Sequence, residues 1–204
     1  MDGMKGDEKN DADTPVATGA EIRAFWFGKG EDHGKRRKQW FEKNTAFDDE
    51  IRRRFLPTFA AAEAGALSHW KNNPHDCLAL IVVEDQFPRN MFRGSARAFA
   101  TDALAREATV HALANGFDLG LKPVERQFIY LPLEHSESLL DQQRCLTLMQ
   151  QIAGYDETSD LHVWAQKHLD IISRFGRFPH RNAALGREST EEEIEFLKQP
   201  GSGF

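Results

Sequence analysis

The chain has 204 residues and only two cysteines, Cys77 and Cys145, neither with a partner at CxxC spacing. That excludes a disulfide framework and a cysteine-rich zinc site, and each thiol is expected to be buried and free within an apolar helical stretch. Long apolar runs are missing as well. The longest, such as residues 78–83, fall far short of a bilayer span, and the first residues lack the basic start and apolar stretch of a signal peptide. A cytoplasmic protein with no membrane partner is expected. Basic residues are in the minority, 26 Lys and Arg against 32 Asp and Glu, which argues against a nucleic-acid partner because counterion release needs a cationic face. No segment alternates apolar and polar positions with β-branched enrichment, so no sheet is expected. Gly (15) and Pro (8) are too scarce for a low-complexity or collagen-like chain.

What remains is an ordinary globular composition, 40% hydrophobic and 28% charged, in a length that suits one domain. Residues 1–18 hold Lys5 and Lys9 against Asp2, Asp7, Glu8, Asp11 and Asp13, and this segment is expected to be a disordered acidic tail ahead of a single all-helical domain, 19–204. From Glu21 onward apolar residues recur at three and four. Ile22, Phe25 and Trp26 form a first stripe, and Ile51, Phe55 and Phe59 share a face of a helix that Pro57 interrupts. Asn73-Pro74 opens a helix over 77–86 that Phe87-Pro88 is expected to stop. Further helices are expected over 98–115, closed by Gly116; over 123–131; over 136–153, capped by Ser136 and closed by Gly154; and from Ser159 or Asp160 to 174. Thr190 with Glu193 makes a capping box for a last one. Phe41 and Trp164, like Trp26 and Phe128, are expected in the core, while Phe92 and Phe178 sit in loops. Short helices joined by short loops suggest antiparallel hairpins stacked side by side.

One pattern repeats. Phe87-Pro88-Arg89-Asn90 followed by Gly94 reappears as Phe178-Pro179-His180-Arg181-Asn182 followed by Gly186, with one residue inserted and the same Asn-to-Gly spacing. An internal duplication would explain it. The stretch 174–187 holds four arginines and no acid inside a net acidic chain. Arginine forks suit carboxylates and phosphates, so one expectation is a pocket for an anionic small molecule. It would be lined by Arg89, Asn90, Arg93, Arg177, His180, Arg181 and Asn182 and closed by Glu134 and His135. Catalytic residues are not assigned, and no cofactor is implied. His135, His168 and His180 with Glu134 or Glu188 lack metal-ligand spacing, so no metal is expected. The alternative makes the same arginines struts, paired with Glu84, Asp85, Glu125, Glu134, Glu137 or Asp141, in a scaffold that binds a protein partner.

The segments EDQFPRNMFRGSARAFATD (84–102), ERQFIYLPLEHSESLLDQQR (125–144), RFGRFPHRNAALGREST (174–190) and the ending FLKQPGSGF together resemble the bacterial family called domain of unknown function 924. The resemblance runs from Glu21 to the C-terminus. It implies an all-helical fold similar to tetratricopeptide-repeat proteins, although the usual repeat signature is not visible at its period. It implies no function.

Overall fold

The computed structural model describes residues 14–152 and 160–203; the expected closing Gly154, the candidate cap Ser159 and most of the acidic segment lie outside them. Helix α1, Gly19–Phe27, starts at Thr18, whose side chain accepts from the Glu21 N–H while the Glu21 carboxylate accepts from the Thr18 N–H. Just upstream, the Ala17 N–H donates to Thr58 Oγ1 at 2.8 Å, tying the chain entrance to α2, Thr45–Glu63. Asn44 caps α2, which runs straight through Pro57 and buries Phe47, Ile51, Phe55 and Phe59.

Asn73 opens α3, Pro74–Ile81, as its spacing predicts: the side chain accepts from the Asp76 N–H and Pro74 takes the first helical position. The expected stop at Phe87-Pro88 does not occur. Val82–Gln86 is instead a π-helical turn, and the chain passes through it into α4, Phe87–Met91, with Phe87 at φ −59°, ψ −43°. The reason lies in where the hydrogen bonds go. Pro88 has no N–H to offer the Glu84 carbonyl, and the Thr101 hydroxyl donates to that carbonyl at 2.5 Å instead. The wider turn lets the Phe87 N–H reach back to the Val82 carbonyl.

The remaining helices are α5 (Asp102–Ala114), α6 (Pro123–Glu134), α7 (Leu139–Ile152), α8 (Leu161–Phe175) and α9 (Glu191–Leu197). Helix α6 outruns the expected end at residue 131. Pro132 sits within it, and burial of Leu131 and Leu133 outweighs the lost backbone bond. The following loop is displaced by a turn as a result, so Ser136 does not cap α7. Its hydroxyl donates to Asp141 at 2.7 Å and accepts from the Ser138 N–H, while the Ser138 carbonyl takes the first helical bond, from Gln142. Thr190 and Glu193 form the capping box of α9, and Gly116 follows α5 at φ 65°.

No strand occurs among the described residues, as the lack of alternation predicts. Helix α3 packs on α1, α5 and α6, and α7 lies against both α6 and α8. The main core gathers Trp26, Phe27, Phe55, Phe59, Phe87, Phe128 and Tyr130, all fully buried, each ring contributing roughly 1.5–3 kcal/mol by leaving water. A separate small cluster of Ile171, Ile172 and Phe178 packs with Phe175 and Phe196. Both cysteines are buried and free. Phe41 and Trp164 depart from their expected core positions and are 51% and 42% exposed; Phe41 stacks on Phe128 at the core's edge, 6.4 Å between centroids, with Arg36 over its ring, and Lys167 lies over Trp164. No helix among the described residues is long and apolar enough to cross a membrane.

Candidate functional site

The π-helical turn carries Glu84, Asp85 and Gln86 together into the interior. Asp85 is 1% exposed. Its carboxylate accepts from Gln86 Nε2 at 2.6 Å and from His135 Nδ1 at 2.8 Å, and lies 3.3 Å from the Arg89 guanidinium. Burial alone would push this carboxyl up; Arg89, His135 and Gln86 together outweigh burial and hold it well below the usual carboxylate range.

His135 is the residue that closes α6, so its position is set by the helix end. Burial, and then the Arg89 charge, push its imidazole below its ordinary range, with Asp85 opposing. A neutral ring beside an ionised Asp85 keeps its proton on Nδ1, in the shared hydrogen bond, and leaves Nε2 as an acceptor.

Two arginines converge on one further carboxylate. Arg89 grips Asp102 with both terminal nitrogens, at 2.9 and 3.1 Å, and donates to the Asp85 carbonyl at 2.6 Å. Arg181 reaches the same Asp102 at 3.3 Å. Its guanidinium lies between two rings, 4.8 Å from the centroid of Phe99 and 4.5 Å from that of Phe178, while its Nε is buried without a hydrogen-bond partner. Burial and the neighbouring Arg89 push Arg181 down to about 10, so it remains a cation at neutral pH.

A layer of buried titratable groups surrounds these residues. His180 packs its ring on Phe178, 5.6 Å between centroids, and burial and then Arg181 push it down to about 4. His168 donates from Nδ1 to the Trp164 carbonyl and sits 3.5 Å from Glu134; burial pushes it down to about 3. Glu134 receives the Cys145 thiol at 3.8 Å, and burial pushes its carboxyl up to about 8. At neutral pH these three are uncharged, beside the ionised Arg89, Arg181 and Asp85.

The structure therefore brings Arg89, Glu134, His135, His180 and Arg181 into one neighbourhood. The others sit elsewhere. Arg93 and Asn90 both hold Asp48, the arginine at 2.6 and 3.0 Å and the amide at 2.7 Å. Arg177 and Asn182 both hold Glu193, the arginine at 2.6 and 2.8 Å and the amide at 3.2 Å. Each copy of the repeated signature thus uses its asparagine with an arginine to fix one buried carboxylate, drawn from α2 in the first and from α9 in the second. The Phe-Pro steps themselves differ: Phe178 is extended, at φ −88°, ψ 107°, whereas Phe87 is helical. Arg187 forks onto Glu137 at 2.8 and 3.0 Å. Asp85 and Glu137 are partners the sequence suggests; Asp48, Asp102 and Glu193 are not. Asp102 stands in the first turn of α5, where an acid is already explained by the helix dipole, so nothing in the sequence marks it as the acceptor of two arginines. Among the described residues no group of three or more His, Cys, Asp or Glu side chains is assembled to hold a metal ion.

A family model described as bacterial protein of unknown function (DUF924) matches residues 22–201. A solved structure of a protein of unknown function, ATU0120 from Agrobacterium tumefaciens, is similar to this chain at 40% identity and a TM-score of 0.79, covering 89% of this chain and 97% of that one. No curated protein matches.

Proposed function

Since the chain belongs to this bacterial family of unknown function, its own residues must carry the reading, and we propose that it binds a small anionic molecule at the Arg89–Arg181–His135 cluster. The observation that supports this is Arg181. A guanidinium offers five N–H donors, yet here it makes a single long bond to a carboxylate that Arg89 already holds, and its Nε has no partner. Two aromatic faces fix its plane, so little rotamer freedom is left to lose when an anion docks. An incoming anion would raise the proton affinity of His135, the nearby imidazole that Asp85 orients, and binding would be coupled to proton uptake there. The same Asp–His arrangement would serve as a proton acceptor for a ligand that carries an acidic group.

The test is a thermal-shift panel of phosphates, nucleotides and carboxylic-acid metabolites against the native protein and Arg181→Met, which keeps an apolar side chain between the two rings. A ligand at 100 times its dissociation constant adds about 2.7 kcal/mol to stability. A shift from one anion class that vanishes in a folded Arg181→Met supports the reading. If nothing shifts and Arg181→Met is itself strongly destabilised, the second reading gains: a scaffold for a protein partner, in which Arg181 is a strut like Arg93, Arg177 and Arg187. The observation favouring that reading is the bidentate carboxylate pairing of those three.

A further inference from the structure

Away from the Arg181 cluster, a cleft of about 710 Å³ opens where α1, the segment after it and the start of α2 meet. We propose that this cleft is a second, independent binding site, for an amphipathic organic acid: a carboxylate attached to a flat or aliphatic apolar body.

The floor is aromatic and anchored. Phe25 and Phe47 stack at 5.4 Å with 13° between planes, and Phe25 meets Phe55 and Phe87 edge-on, which ties the floor to the main core. The rim is charged, and its charges are unevenly satisfied. Of the two lining carboxylates, Glu50 takes Arg54 at 3.0 Å, while Glu21 accepts from the Thr18 N–H and hydroxyl in the capping box, at 2.7 and 2.8 Å, and keeps its charge, so Lys29, Arg37 and Arg54 outnumber the acids by one. Lys29 and Arg37 line the same cleft, and neither forms an ion pair among the described residues.

Arg37 is held in place by backbone carbonyls. One terminal nitrogen donates to the carbonyls of Phe25 and Trp26, at 2.6 and 2.9 Å, at the open end of α1. Those bonds leave Nε and the second terminal nitrogen as donors. A cleft of this size is large enough for a small molecule. The net positive charge of the lining selects an anion, and the Phe25 and Phe47 rings, with the Arg54 guanidinium 4.7 Å from the Phe25 centroid, select an apolar body beside it.

The test is calorimetric titration with phenylbutyrate, with phenylbutanol to remove the charge and inorganic phosphate to remove the body. Phenylbutyrate should bind, and the alcohol and the phosphate should each bind about tenfold more weakly or not at all. Lys29 is exposed, so Lys29→Glu should fold normally and weaken phenylbutyrate by about tenfold. Ala46, exposed in the first turn of α2, lines the cleft, and Ala46→Trp should fill it and abolish binding. Arg181→Met should leave phenylbutyrate binding unchanged, which separates this site from the Arg181 cluster. The proposal is overturned if the native protein does not bind phenylbutyrate, if the alcohol or phosphate binds as well, or if binding survives Lys29→Glu and Ala46→Trp.

Discussion

Replacing Glu84 with Gln should halve the loss of stability on the alkaline side of neutrality. Glu84 is buried, and its Oε2 has no hydrogen-bond partner. Burial, with Glu107 and Asp85 adding to it and Lys71 opposing, pushes the carboxyl from 4.5 up to about 8. Glu134 is pushed to about 8 as well. A folded value above the unfolded one means each carboxyl contributes fully below about pH 4.5 and loses its contribution as pH rises through about 8. The buried imidazoles of His135, His168 and His180 have the opposite sign. Their folded values lie below 6.5, so their contribution is present above about pH 6.5 and is lost as pH falls. Each group changes stability by about 1.4 kcal/mol per pH unit inside its window.

Between about pH 6.5 and 8, below the range of the two buried thiols, these carboxyls set the slope, and the native protein should lose about 2.7 kcal/mol per pH unit; Glu84→Gln should lose about 1.4. Between about pH 4.5 and 6.5 the imidazoles of His168 and His180 offset the two carboxyls, so the alkaline loss should flatten below about pH 6.5. Urea unfolding followed by helical circular dichroism, in steps of half a unit across this range, measures both limbs. An unchanged alkaline slope in Glu84→Gln, or a native protein whose stability is flat there, refutes the reasoning.

Thr101→Val removes the hydroxyl that satisfies the Glu84 carbonyl and should cost about 1–2 kcal/mol in urea; a neutral result would mean that carbonyl needs no donor. Burial pushes Cys77 up to about 12 and Cys145 well above its ordinary value, so neither thiol should react with Ellman's reagent until the protein is unfolded, and rapid labelling of the native protein would contradict their burial. Gly176 ends α8 at φ 68°, where an added Cβ would meet no atom within 4 Å, so Gly176→Ala should cost about 1 kcal/mol from conformation alone. Differential scanning calorimetry would read that as a modest drop in Tm, and no drop would mean the left-handed turn is not needed.

The helices were legible because their signals are local: Asn73-Pro74, the Thr190–Glu193 capping box and the four-residue spacing of Ile51, Phe55 and Phe59 each act within one or two turns. The π-helical passage through Phe87-Pro88 was not, because the donor that permits it, Thr101, lies on another element. Arginine-rich segments marked the chain stretches whose Arg89 and Arg181 meet at Asp102. Their partners did not follow, since Arg93 finds Asp48 and Arg181 finds Asp102 across 45 and 79 residues of chain. The repeated signature suggested an internal duplication; in the structure its two copies share one job, the pinning of a carboxylate by an asparagine and an arginine, and each recruits that carboxylate from a helix the motif does not contain.

The π-helical turn also bears on which changes of chain length the protein can absorb. Such a turn holds one residue more than the α-helix around it requires, so in genetic terms it is an insertion of a single codon preserved in the backbone. Deleting one residue of Val82–Gln86 would return the passage to plain α-helix with its flanks in register, at the loss of the geometry that carries Glu84, Asp85 and Gln86 inward together. Adding a second would rotate everything downstream by about 100° against everything upstream, and Leu78, Leu80 and Ile81 could then keep their places in the core only if Arg89 and Asn90 left Asp102 and Asp48. Loss of one residue is a change this stretch can absorb, whereas gain of another is not.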